Sequence, residues 1–166
     1  MSKHNARRTS LVMAGAFAAA GAAIALAPAA GAAPTADCRA PGSATVTSTT
    51  SEQASCSATS VPGSAAAAFG MDGTATANSG PQGLALAIAN GGGTASSDAQ
   101  NLSAPAVIAI GPGASVTAEG VRPGLALGIA GTNGKVTIDG VNGPTCSGGL
   151  AFAGDFQTLK GCFSMR

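Results

Sequence analysis

Residues Gly83–Gly93 read Gly-Leu-Ala-Leu-Ala-Ile-Ala-Asn-Gly-Gly-Gly. The theme returns as Ala106-Val-Ile-Ala-Ile-Gly-Pro-Gly and as Gly124-Leu-Ala-Leu-Gly-Ile-Ala-Gly-Thr-Asn-Gly. Fainter copies stand on either side, at Ala65-Ala-Ala-Ala-Phe-Gly-Met-Asp-Gly and Gly149-Leu-Ala-Phe-Ala-Gly. Alignment on the bulky residue that closes each run gives Phe69, Ile88, Ile110, Ile129 and Phe152, a period of roughly twenty residues and the mark of a repeat architecture.

Within each run the large side chains are two apart. Leu84, Leu86 and Ile88 fall on one face of a strand and Ala85, Ala87 and Ala89 on the other; Leu125, Leu127 and Ile129 repeat the arrangement. Alanine is the best helix former, but the runs are short and end in Gly-Gly-Gly, Gly-Pro-Gly or Asn-Gly, which are turn signals. A more polar strand follows each turn, at Thr74-Ala-Thr-Ala, Thr94-Ala-Ser-Ser, Ala114-Ser-Val-Thr-Ala and Lys135-Val-Thr-Ile-Asp, and loops carrying Pro81, Pro105, Pro123 and Pro144 bring the chain back. The expected fold is all-β: a flattened β-solenoid or β-roll of about four to five imperfect repeats, stacked in ladders of equivalent residues. An antiparallel meander or sandwich satisfies the same pattern. The Leu/Ile positions are expected to line the inside, and the small-residue faces to admit another layer or another subunit, giving a homo-oligomer.

Lys3, Arg7 and Arg8 precede an uncharged run from Leu11 to about Ala27 that ends in small residues, the pattern of a secretory signal peptide cleaved between Ala32 and Ala33. Arg7-Arg8-Thr-Ser-Leu also allows the twin-arginine route. The organisation expected from these shifts is a signal peptide over 1–32, a Ser/Thr/Ala-rich lead-in with the first cysteine pair over 33–63, a β-repeat domain over 64–144, and a C-terminal repeat and cap with the second pair over 145–166. Four cysteines in an exported chain imply disulfides. Of three connectivities, Cys38 with Cys56 and Cys146 with Cys162 is favoured because each closes a short loop beside one end of the repeats; the rival ties the two ends together.

Three of the eight basic residues precede Ala33 and all seven acids follow it, leaving five basic against seven acidic side chains. No basic cluster remains to hold nucleic acid or an anionic membrane. The one histidine, His4, lies within the signal, so a Ser-His-Asp or Cys-His site is not expected. Gly128–Lys135 misses a phosphate-binding loop by one residue of spacing and puts Val136 where a hydroxyl must reach magnesium; Gly111-Pro-Gly lacks a third glycine and a following helix. Both read as turns, Asn133-Gly134 as a hairpin turn. Asp72, Asp98, Asp139 and Asp155 recur near turns, without the calcium-binding nonapeptide and without Trp or Tyr to stack on sugars. No metal, cofactor or catalytic residue is expected, and Asp98, Asn101 and Arg122 are the loop residues best placed to bind a ligand.

The segment Ala106-Val-Ile-Ala-Ile-Gly-Pro-Gly-Ala-Ser-Val-Thr-Ala-Glu-Gly resembles the head repeats of trimeric autotransporter adhesins, a likeness that implies a β-roll and adhesion. In overall style the chain is similar to small Ala/Gly-rich secreted proteins of mycobacteria and related actinobacteria, several families of which have no assigned function. The function expected is that of a non-enzymatic structural or interaction protein, secreted or associated with the cell envelope. The alternative is a glycan- or ligand-binding, adhesin-like module that uses the inter-repeat loops.

Overall fold

A computed structural model describes residues 35–166; the signal peptide expected over 1–32 and its expected cleavage between Ala32 and Ala33 lie outside them. Fourteen strands follow in order: β1 (Thr35–Pro41), β2 (Ala44–Thr49), β3 (Ser55–Ser60), β4 (Ala65–Met71), β5 (Thr74–Ser79), β6 (Leu84–Asn90), β7 (Thr94–Ala99), β8 (Ser103–Ile110), β9 (Ser115–Gly120), β10 (Gly124–Ala130), β11 (Gly134–Ile138), β12 (Thr145–Gly148), β13 (Ala151–Asp155) and β14 (Lys160–Ser164). From β3 to β11 successive strands alternate between two sheets. Sheet A runs β1-β4-β6-β8-β10-β13-β14 and sheet B runs β12-β11-β9-β7-β5-β3-β2. The pairs β4–β6, β6–β8 and β8–β10 in sheet A are parallel, as are β3–β5, β5–β7, β7–β9 and β9–β11 in sheet B. This is the flattened β-solenoid, with about four turns of stacked coil. Antiparallel pairing is confined to the ends, where β1 and β2 close one side and β12, β13 and β14 the other.

The corners of the coil follow from local chemistry. Asn133 turns β10 into β11 at a φ of 56°, and those strands belong to different sheets, so the expected hairpin turn is a corner of the coil. Gly93 has ordinary backbone angles but no room for a side chain: a Cβ there would stand 2.7 Å from the carbonyl oxygen of Ala109 in the next coil. At the opposite edge Ser103 accepts from the Gln100 N–H at 2.8 Å and donates to the Gly120 carbonyl at 2.8 Å, joining its own turn to the coil above. Ser64 does the same on that edge two coils lower, between the Val61 N–H and the Ser79 carbonyl.

The interior reverses the expected one. Ala85, Ala87 and Ala89 are buried, whereas Leu86 and Ile88 face outward half-buried and Leu84 is 57% exposed. The same phase holds in every strand of the parallel stack of sheet A, and Leu125, Leu127 and Ile129 also point out. Sheet B contributes Ala58, Ala75, Ala77, Ala95, Ala99, Ala118 and three larger residues, Val116, Val136 and Ile138, to a single core. The physical reason lies in the distance between the sheets. Cys38 of β1 is bonded to Cys56 of β3, and Cys146 of β12 to Cys162 of β14, with Cα separations of 5.9 and 5.6 Å. Sheets that pack through ordinary side chains stand about 10 Å apart, so two sheets stapled this closely leave room for little more than methyl groups. Where sheet B does carry valines, sheet A carries Gly128, whose Cβ would come within 2.7 Å of Val116.

The local cysteine pairing is the one favoured from sequence. The ladder alignment needs one correction: Ile88 pairs with Ile108, and Ile108 with Ile129, while Ile110 sits beside Asn90. Both isoleucines of β8 lie on the same face two residues apart, and the ladder runs through Ile108 rather than through Ile110, which closes the strand.

The inside-out arrangement makes a direct prediction. Ala87→Leu forces extra methyl groups between the sheets and should cost about 1–3 kcal/mol of stability. Thr76→Leu, which places the same side chain on the outer side of β5, should stay within about 0.5 kcal/mol. Thermal melts of the oxidised protein compare the two, and equal losses would contradict the alanine interior.

Candidate functional site

Because the alanines take the interior, the two outer surfaces carry everything else, and they differ in kind. On sheet B the outward positions of β5, β7 and β9 are Thr74, Thr76, Asn78, then Thr94, Ser96, Asp98, then Ser115, Thr117, Glu119. In-register pairing lines these up as two rows of hydroxyls, Thr74, Thr94, Ser115 and Thr76, Ser96, Thr117, and a third row of one amide and two carboxylates, Asn78, Asp98, Glu119. On sheet A the outward row is Phe69, Ile88, Ile108, Ile129, Phe152 and Phe163, one residue from each of six neighbouring strands.

Two further rows on sheet A alternate in size. Ala67 is followed by Leu86, Ala106 and Leu127 on β4, β6, β8 and β10, and one position further along the strands Ala65 lies beside Leu84 and Ala104 beside Leu125. The leucines of β6 and β10 thus form two ridges, and the alanines of β4 and β8 form the floors of two furrows. A groove of about 520 Å³ opens over these furrows, bounded by Leu84, Leu86 and Leu125 and ending at Arg39 and Pro41. Its one charged wall is already engaged: the Arg39 guanidinium donates to both Asp37 carboxylate oxygens, at 3.0 and 2.8 Å, and stacks 5.4 Å from the Phe69 ring centroid. Leu84 and Leu125 on its walls are 57% and 60% exposed.

The expected loop residues fall in two places. Asn101 turns the chain between β7 and β8 at a φ of 51°, and its amide donates to the Val121 carbonyl at 3.3 Å, next to exposed Arg122 in the stacked loop. Those two residues share a corner of the coil. Asp98 does not join them: it lies on the outer face of sheet B, accepts from the Asn78 amide at 2.8 Å and stands in register with Glu119.

Each of the other turn aspartates serves its own turn. Asp72 has left-handed backbone at the β4–β5 corner. Asp155, buried, accepts from the Gln157 N–H at 2.8 Å and from the Thr158 hydroxyl at 2.7 Å, and so shapes the β13–β14 turn. Asp139 accepts from the Asn142 side chain and from the Asn142 and Val141 N–H groups. These bonds favour the charged carboxylate and lower its pKa from 3.8 to about 2. Among the described residues, no three acids, cysteines or histidines gather where they could hold a metal ion.

The missed feature, the apolar outer face, had one signal in the sequence. Cys38 shares its strand face with Ala36 and Ala40, and Cys56 with Ala58. If those cysteines bond across two layers, their phase is inward, and the alanines go with them.

The lowered Asp139 pKa fixes the sign of a pH effect. A carboxylate held below its unfolded value stabilises the fold above about pH 3.8 and loses that contribution as pH falls toward 2. Asp139→Ala should therefore melt below the parent at neutral pH, and the gap should close under acid. Melts across that range check it; a gap that persists at pH 2 would assign the effect to packing.

Neither curated proteins nor solved structures give a match to this chain. A family profile does, over residues 1–165, and so the chain belongs to the family described as a family of unknown function, DUF6764.

Proposed function

We propose that this is a non-enzymatic structural or interaction protein, exported to the bacterial cell envelope or the medium, that works through the outer surface of its solenoid. The observation that carries this reading is the apolar outer face of sheet A, where Leu84 and Leu125 are 57% and 60% exposed on a sheet whose ends are closed by cystines. A face of this kind is built for contact. The turn aspartates are engaged in shaping corners rather than aimed at a common point, which favours contact over turnover. Two disulfides in so small a domain fit an oxidising compartment, in keeping with the signal-like N-terminus. The likeness to adhesin head repeats and to secreted actinobacterial proteins points the same way.

A second reading rests on one observation, the shared corner of Asn101 and Arg122. It takes these stacked loops as the binding edge of a glycan-recognising module, with Asp98 displaced to the neighbouring face.

Fractionation of producing cells, with mass spectrometry of the N-terminus and of non-reduced peptides, tests the first reading. The expected product begins at Ala33, contains no free thiol and is found outside the cytoplasm. A reduced Cys146, a lipid on Cys38 or a wholly cytoplasmic protein would contradict it. Saturable binding to envelope polysaccharide that Arg122→Ala abolishes would select the second.

A further inference from the structure

We infer that the apolar face of sheet A is covered by a second copy of this chain, the two faces meeting with the leucine ridges of one seated in the alanine furrows of the other. The inference rests on reading that face as an interaction surface and adds the identity of the partner.

The argument is one of parity. In the two Ala/Leu rows of sheet A the strands β4, β6, β8 and β10 alternate furrow, ridge, furrow, ridge, beside a third row, Phe69, Ile88, Ile108 and Ile129, that is bulky on every strand. Two identical faces laid together by a two-fold axis parallel to the strands reverse the strand order. With the axis midway between β6 and β8, each β6 faces the partner's β8 and each β10 faces the partner's β4. Every leucine ridge then meets an alanine furrow, so Leu86 lies over Ala106 of the second copy and Leu127 over Ala67, while in the bulky third row Ile88 meets Ile108 of the second copy. An axis along the stacking direction would instead set ridge upon ridge. The pattern fits a partner of its own period.

Size and charge support the same occupant. The axis between β6 and β8 overlaps β1, β4, β6, β8, β10 and β13 of each copy, and six strands about 4.8 Å apart and about 20 Å long present roughly 600 Å² in projection. The ridges bring that close to the ~800 Å² per partner of a standard interface. The charged Asp37–Arg39 pair sits on edge strand β1, at the rim, where interfaces keep their polar groups. A membrane surface would favour a basic border. Here the cation on this rim is already paired with a carboxylate, and the face is corrugated rather than smooth.

The test is the mass of the oxidised protein by sedimentation and light scattering over a wide concentration range. A dimer is expected. Ala106→Glu puts a charge in a furrow without touching the alanine interior, and should give a monomer with unchanged far-ultraviolet circular dichroism. Thr117→Glu, on the outer face of sheet B, should remain dimeric. Leu86→Ala and Ala106→Leu should each weaken association by about tenfold or more, and the double variant, which restores knob and hole in exchanged places, should regain it. This exchange decides the matter even if the glutamate variant fails to fold.

A parent protein that is monomeric throughout would overturn the inference, as would an Ala106→Glu dimer or a double variant as weak as its parents. A monomer that instead binds phosphatidylcholine vesicles would assign the face to lipid. None of these outcomes bears on export, which the fractionation reads separately.

Discussion

Two cystines set the separation of two sheets, and the rest of the molecule follows from that distance. The inner row of sheet A runs Cys38, Ala68, Ala87, Val107, Gly128, Ala153, Cys162, strand by strand. The facing row of sheet B runs Cys56, Ala75, Ala95, Val116, Val136, Cys146. The row of sheet A begins and ends in a cysteine, that of sheet B ends in Cys146 and carries Cys56 beside Ser48 of edge strand β2, and each cysteine is bonded to its counterpart in the other sheet. The interior is a ladder whose first and last rungs are covalent. Between them, side-chain volume is limited to what two closely held backbones admit: methyl groups over most of the length, and the isopropyl groups of Val107, Val116 and Val136 around the space that Gly128 leaves.

An alanine interior stabilises weakly. At about 25 cal/mol per Å² of apolar surface removed from water, each coil gains less than a leucine core would supply. In a solenoid each coil also touches only its neighbours, so no distant contact makes up the difference. The ends are where such a stack would fray, and both ends carry antiparallel strands as well as a cystine. Each bridge closes a loop of 16 or 18 residues and contributes about 3 kcal/mol by restricting the unfolded chain. Covalent closure thus acts at the two places where stacking alone is least sufficient.

Much of this was legible in the chain. The spacing of Leu84, Leu86 and Ile88, the Gly and Asn-Gly turns, and the more polar strand after each turn define coils of about twenty residues, and the positions of the cysteines define the bridges. The phase was not legible from hydrophobicity, because both faces of these strands are apolar and a shift of one residue exchanges inside for outside. The larger side chains look like the core by transfer free energy, but steric room decides, and room is set by the partner sheet. The same ambiguity misaligned β8, where Ile108 and Ile110 offer two equivalent anchors. Of the candidate loop residues, Asn101 and Arg122 come together because their loops stack one coil apart; Asp98 belongs to a strand, and its side chain is directed by the pleat rather than by the turn.

The exclusion of the leucines from the interior has an energetic consequence beyond shape. A monomer with this distribution buries its small side chains and leaves part of its large ones in water, the reverse of the usual partition. The free energy absent from the core is therefore held in reserve on the outer face of sheet A, available to whatever covers it. Anything that binds the folded coil and not the unfolded chain stabilises it in proportion to the logarithm of its concentration. For a thin solenoid closed at both ends, covering that face would complete the hydrophobic burial that the narrow gap between its sheets prevents, and a partner there would tie the stability of the fold to its binding.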